Sequence, residues 1–549
     1  MVSKTGKTQR ILQYINGDNL TQIQYGKGFQ RINFTMPNVS TDALFQLVKS
    51  LEKSEKRSFK LYAKRNSSSD ELKIVHLFDA LDKMDEFDEE QLLKKNKSIT
   101  KLQLSNIKSH LYRELLASIR LLKSEDNIDI QLHEQLDYAR ILYNKGLYLQ
   151  SLKILYKIKE HAKATNQVSF LPQVLFLEIK IESLHITRSM QDKAESLSRE
   201  VNDANNRLQM IGQLSNLSLQ LYSWYIKNGH ARNKNDEAAV KSYFETSLGF
   251  DVKTVDGFYE KLYLYQSYCW YAFIRQDFLM YYRYTQKWVD LFEKEPMMIG
   301  IETTHYIKGM HNLLGAHFDL QNDSKFAAEL ERFEDFSTSA AMHNNDNNRI
   351  QTFVYLYIAK INRHFMLGTF SAGTELIPEI EGFVLENKMY IDRHRILVFY
   401  YKFASLYFGS GNYDKAIDYL NKIINWKVDL RTDLQCYARL LHLIAHYELG
   451  NFQLLEYLIK SVYRFMAKME NLSVVEEEMF KFLKKAFNLT PAKLKPEFQK
   501  LLDKLKKYEN SSSETRAFAY LDVISWLESK INKVPVQDII RKKYLAKNK

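Results

Sequence analysis

At 549 residues the chain is too long for one hydrophobic core, because single cores stop growing at roughly 250–300 residues. Its 18 glycines and 7 prolines are few for this length, as in an almost wholly helical protein, and its 35 tyrosines and 32 phenylalanines can fill a thin core with large rings. The formal charge of +12 raises the odds of an acidic partner without identifying one. No apolar run reaches the roughly 18 residues of a membrane span, and no secretory pattern follows the N-terminal charges. Cys269 and Cys436 suggest no disulfide framework. The expected setting is therefore the cytoplasm.

Residues 1–39 read as a flexible leader, with helix-breaking clusters at Gly17-Asp18-Asn19, Gly26-Lys27-Gly28 and Met36-Pro37-Asn38. Gly6-Lys7-Thr8 resembles the end of a phosphate-binding loop, but the earlier glycine that motif needs would fall at Met1. Ile32 and Phe34 leave a short strand open as the alternative to disorder, and Met36 is an alternative start. Ser40 or Thr41 opens the first helix, and residues 41–125 are expected to form a small helical N-terminal domain. Its clearest period is Leu104, Ile107, Leu111, Leu115, Ile119 and Leu122. The run Lys53-Ser54-Glu55-Lys56-Arg57-Ser58-Phe59-Lys60 is similar to one near the N-terminus of a group of long, uncharacterised bacterial helical proteins. That likeness implies no activity. The run reads as a solvated helix face with Phe59 and Leu61 turned inward, or as a basic docking patch built on Lys56, Arg57 and Lys60 with Lys64 and Arg65.

From 130 to 470 one plan recurs: two amphipathic helices joined by a turn, with a small or buried residue just after it. Ser151, Ala194, Ala238, Tyr281, Ala328, Gly373, Ala416 and Leu455 mark that position at intervals of about 44 residues. The clearest unit runs from Tyr400 to Ile424, with Gly411-Asn412 at the reversal. Phe258–Phe292 is the most aromatic stretch, and its rings are expected in the core rather than stacked on a ligand. Residues 471–549 read as a C-terminal helical cap, with a basic helix from Lys493 to Lys507 and a frayed basic tail from Arg541.

With Tyr400, Phe403, Ala404 and Tyr407 on one helix and Ala416, Leu420 and Ile423 on the next, this unit resembles a tetratricopeptide repeat. The resemblance implies an all-α, right-handed solenoid of stacked antiparallel hairpins behind the small N-terminal domain. It also implies a concave groove lined by first helices, which nominates Arg395, Tyr401 and Lys402 as partner-binding residues. Tyr281 and Leu455 are large where that family is small, and the proline that usually ends a unit is missing after Ile424.

No catalytic pattern is present. His442 and His446 have the four-residue spacing of paired metal ligands, but Leu443 stands where a zinc protease has glutamate, so packing histidines are expected and no cofactor or metal. The expected function is a non-catalytic scaffold that binds a protein or peptide in its groove. The alternative is a nucleic-acid-binding array that uses the basic terminal helices, with affinity falling steeply with salt.

Overall fold

The computed structural model describes residues 43–64, 69–95, 99–123, 127–185, 191–231, 233–339, 342, 345–388, 390–426, 432–468, 474–486, 489, 491–508 and 522–547. The leader, the helix start at Ser40 or Thr41, and Arg65 lie outside these residues. Among the described residues the fold is all-helical, with no strand, and the chain divides into two compact units, Met1–Ile130 and Gln131–Lys549.

In the first unit, α1 (Ala43–Ser50), α2 (Lys53–Lys64), α3 (Ser69–Lys83), α4 (Glu89–Lys95) and α5 (Lys101–Lys123) enclose one core. Leu104, Leu111 and Leu115 bury the apolar stripe of α5, and α2 and α3 both pack against that helix. Phe59 is fully buried against Phe78, while Leu61, expected inside, is exposed. The reason is angular: Leu61 stands two residues from Phe59, about 200° around the helix, and faces solvent.

The second unit takes in most of α6 (Ile128–Asn144), then α7 (Tyr148–Ala164), α8 (Leu171–His185), α9 (Gln191–Asn228), α10 (Lys234–Ser247), α11 (Phe258–Ile274), α12 (Phe278–Lys294) and α13 (Met297–Ile301). It continues through α14 (Thr303–Asp319), α15 (Asp323–Ser337), α16 (Asp346–Leu367), α17 (Phe370–Gly373), α18 (Ile377–Glu386), α19 (Arg393–Gly409) and α20 (Tyr413–Ile424). The last helices are α21 (Thr432–Glu448), α22 (Phe452–Lys468), α23 (Val474–Ala486), α24 (Pro491–Leu505), α25 (Val523–Asn532) and α26 (Val536–Lys547). Most helices pack on their sequence neighbours, and α14, α16, α19 and α21 also touch one another in succession. Two contacts leap further: α9 reaches α21, and α26 packs on α16.

One turn joins many of these pairs. At Gly411 the backbone is left-handed (φ +84°), the Gly411 amide donates to the Phe408 carbonyl (3.0 Å), and the Asn412 amide donates to Tyr407 (2.8 Å). The same pair of hydrogen bonds recurs at Gly146, Gln276, Gln321, Gly368 and Gly450. Four residues beyond the residue after each turn, the chain is buried at Ser151, Tyr281, Phe326, Gly373, Ala416 and Leu455.

This register corrects three assignments. Ala194, Ala238 and Ala328 are exposed, and Phe326 takes the place given to Ala328 because the turn closes at Gln321. Around Ala238 the register moves by one, so that Glu237 pairs with Arg275 (2.8 Å). Ala194 lies in the first turn of α9, a single helix of 38 residues where the spacing predicts two. That stretch holds no proline, and Gly212, with open space around its Cα, does not break it.

The C-terminal stretch is also different from the frayed tail expected. Residues Arg541–Lys547 are helical within α26, where Tyr544 donates to Asp323 (2.7 Å), Lys547 to the Gln321 carbonyl (2.7 Å) and Arg541 to the Leu367 carbonyl (3.3 Å). Gly368 permits this docking twice over. Its φ is +66°, and a Cβ there would lie 2.5 Å from the Arg541 backbone nitrogen.

Candidate functional site

Helices whose remaining faces are buried can place polar residues only on the side that lacks a neighbour. In α14 that side carries Lys308, His311, Gly315 and Asp319, spaced by three and four, while Tyr306, Ile307, Met310, Leu313 and Leu314 are buried around them. In α16 it carries Tyr355 and Asn362, and in α19 Arg395 and Lys402, each pair two helical turns apart. Lys308, His311, Asp319, Arg395 and Lys402 all keep part of their surface in solvent although protein surrounds them. They make a polar floor across the three helices.

Two layers of contacts cross this floor. In the first, Arg395 donates from Nη2 to the Tyr355 hydroxyl (3.1 Å), with its guanidinium 5.3 Å from the ring centroid. Lys308 Nζ lies 5.2 Å from the same ring and 5.6 Å from Trp270 on α11, and His311 stacks on Tyr355 at 4.0 Å. In the second layer, Lys402 donates to Asn362 Oδ1 (2.5 Å) and lies 5.3 Å from the Phe365 ring. The floor extends past His305, which is within 3.0 Å of Gln266, and through Thr304, which donates to Asn348 (2.8 Å).

The electrostatics follow from three cations held where water is scarce. Burial alone would raise the Tyr355 phenol, but Lys308 and Arg395 overcome it and hold the group below its ordinary range. Burial, reinforced by Lys308, Arg395 and Lys402, pushes the His311 imidazole well below its usual value, so it is neutral. Burial lowers Lys402 to about 8, with Asp319 opposing, and raises Asp319 to about 7, with Lys402 opposing.

Of the residues nominated from sequence, Arg395 and Lys402 lie on this floor. Tyr401 has its side chain buried in the core. Lys56 and Lys60 are tied to α3 through Asp82 (2.7 Å) and Asp79 (2.6 Å), and Arg57 is exposed. The aromatic residues of Phe258–Phe292 are buried or half-buried, so they pack. His442 and His446 face each other at 3.2 Å, both buried, and burial followed by His446 and Arg439 pushes His442 down to about 4. Among the described residues no three His, Cys, Asp or Glu side chains converge as a metal site, and no helix is long and apolar enough to cross a membrane. Lys308, His311, Asp319, Tyr355 and Asn362 were not nominated. Lys308, His311 and Asp319 leave a trace in the sequence as a stripe with Gly315 at steps of three and four in α14, whereas Tyr355 and Asn362 stand on α16.

Compared with known proteins, the chain matches no family model, no curated protein and no solved structure.

Proposed function

We propose that the second unit is a tetratricopeptide-like, right-handed solenoid of helical hairpins with a period of about 44 residues, and that it serves as a non-catalytic scaffold in the cytoplasm. Its partner is a protein or peptide held in the groove lined by α11, α14, α16 and α19. The period is supported by hydrogen bonds that recur between residues 39 to 44 apart, as in Gln266–His305, Thr304–Asn348, Arg395–Tyr355 and Lys402–Asn362. Cys269 and Cys436, both buried and outside any disulfide, fit a reducing compartment.

The observation that carries the binding role is the groove floor. Cations and ring faces stand together there, half in water, on helices that bury almost everything else. Arginine and aromatic residues are the groups that anchor protein interfaces. A pull-down from soluble extract tests this reading, with the intact protein expected to retain a saturable partner that Arg395→Glu releases. Finding no saturable partner would sink it.

The nucleic-acid alternative has less support, because several of its cations are paired within the fold. Lys500 pairs with Glu497 (2.9 Å), Lys504 with Glu478 (2.5 Å) and Lys506 with Glu528 (3.0 Å). A gel shift at moderate salt should therefore show no retained duplex or single strand.

A further inference from the structure

A second basic depression helps to define what is unusual about the groove floor. Between α22 and α23, Lys460, Arg464, Lys481 and Lys484 surround Glu477 in an open hollow of about 580 Å³. There the charges are balanced locally, with Lys481 paired to Glu478 (2.9 Å) and Lys460 to Glu456 (3.1 Å). Such a surface needs no ligand.

The floor formed by α14, α16 and α19 is different. Lys308 and Arg395 both hydrogen-bond to one neutral oxygen, the Tyr355 hydroxyl. Among the described residues no carboxylate pairs with Lys308. Lys402 spends its shortest bond on a neutral amide, Asn362. Two carboxyls accompany the three cations. Asp392 pairs with Arg395 (3.2 Å) but is more than half exposed at the rim, and Asp319 is held partly protonated at neutral pH by its burial. The imidazole of His311 adds no positive charge. A protein–anion hydrogen bond is roughly twice as strong as a neutral one, so phenol and amide oxygens are poor substitutes for the acceptor these cations suit.

We infer that Lys308 and Arg395 form a binding site for a phosphate monoester dianion, the phosphoryl group of a modified side chain on the segment that occupies the groove, with Lys402 in the next layer of the floor. This rests on the scaffold reading above. The dianion is favoured over a carboxylate by number and direction. Two helices bring Lys308 and Arg395 to the one hydroxyl of Tyr355, and a phosphoryl group offers three acceptor oxygens and a charge of about −1.5 to −2 at neutral pH. A carboxylate offers two oxygens and one charge, and would leave a cation unmatched. The aromatic faces beneath Lys308 and Arg395 exclude water from the underside of the site, which strengthens each charged contact.

Calorimetric titration of the full chain with N-acetyl-phosphoserine amide, N-acetyl-glutamate amide and inorganic phosphate tests the inference. The phosphoserine compound should bind at least about tenfold more tightly than the glutamate compound, the worth of one charge-assisted hydrogen bond. Lys308→Gln should weaken phosphoserine binding by about the same factor. Equal binding of phosphoserine and glutamate, or unchanged affinity in Lys308→Gln, would overturn the site. Inorganic phosphate binding as tightly as the ester would overturn the assignment to a modified side chain. Should Lys308→Gln fail to fold, acetylation of the parent protein gives an independent reading. Phosphoserine should protect Lys308 but not exposed lysines, and uniform labelling would count against the site. Phosphoserine binding with no saturable partner in extract would leave the site standing and remove the scaffold. A captured partner whose retention survives phosphatase treatment would do the reverse.

Discussion

Ala416 is fully buried where α19 meets α20, with Leu420 and Ile423 continuing its face. Adding methylenes there has nowhere to go, so Ala416→Leu should cost roughly 1–3 kcal/mol and lower the thermal midpoint. An unchanged melt would mean that the contact yields. Asp319 gives a prediction with a definite sign. Its carboxyl is raised from its ordinary 3.8 to about 7 by burial, so the folded chain holds that proton more tightly than the unfolded one. The stability it contributes is present in acid and is lost as pH rises from 3.8 to about 7. The stability of the parent minus that of Asp319→Asn should therefore fall across that window in denaturant titrations. A flat difference would show that Asp319 titrates normally.

Among the elements, the turns show what sequence makes legible and what it hides. Gly411 announces itself, because glycine is the residue that takes the left-handed backbone without cost. Gln276 and Gln321 take the same conformation with a side chain that gives no such sign, and at Gln321 the spacing points to Ala328 where the fold buries Phe326. The length of α9 was hidden for a related reason: a helix ends where something breaks it, and the spacing of repeats is not a breaker. Arg395 and Lys402 could be nominated because both stand on one helix. Tyr355 and Lys308 complete the floor from helices about 40 and 90 positions earlier, and no local pattern reports that convergence. The turns also separate two costs. Gly411→Ala meets no atom within 4 Å and should lose only the backbone term, roughly 1–2 kcal/mol. Gly368→Ala carries the same term and drives a methyl into the backbone of α26, so its melting temperature should fall further and Arg541 should become a site of tryptic cleavage. Equal losses in the two variants would show that α26 is not held there.

At the level of the whole molecule, a strictly linear array would be stabilised only by neighbouring repeats and would fray from its ends. The second unit departs from that limit through the contacts of α9 with α21 and of α26 with α16. Its tryptophans report on this. Trp270 and Trp288 sit in α11 and α12, Trp526 in α25, and variants retaining one of them at a time should lose fluorescence at the same denaturant concentration. Separate midpoints would show independent melting of the two ends.

The docking of α26 has one more consequence, for the order in which the chain is made. Tyr544 and Lys547 bond to residues 221 and 226 positions earlier, so Asp323 and the turn at Gln321 emerge from the ribosome long before the helix that covers them. At about 5–20 residues per second, that interval is roughly 10–45 seconds. During it the helices from α14 to α20 can fold on one another, but the carbonyls at Gln321 and Leu367 must be served by water. Translation through Lys547 is thus the step that covers the turns at Gln321 and Gly368, and a pause after Tyr508 would hold a nascent chain open there, within the second unit, rather than only at its last residues.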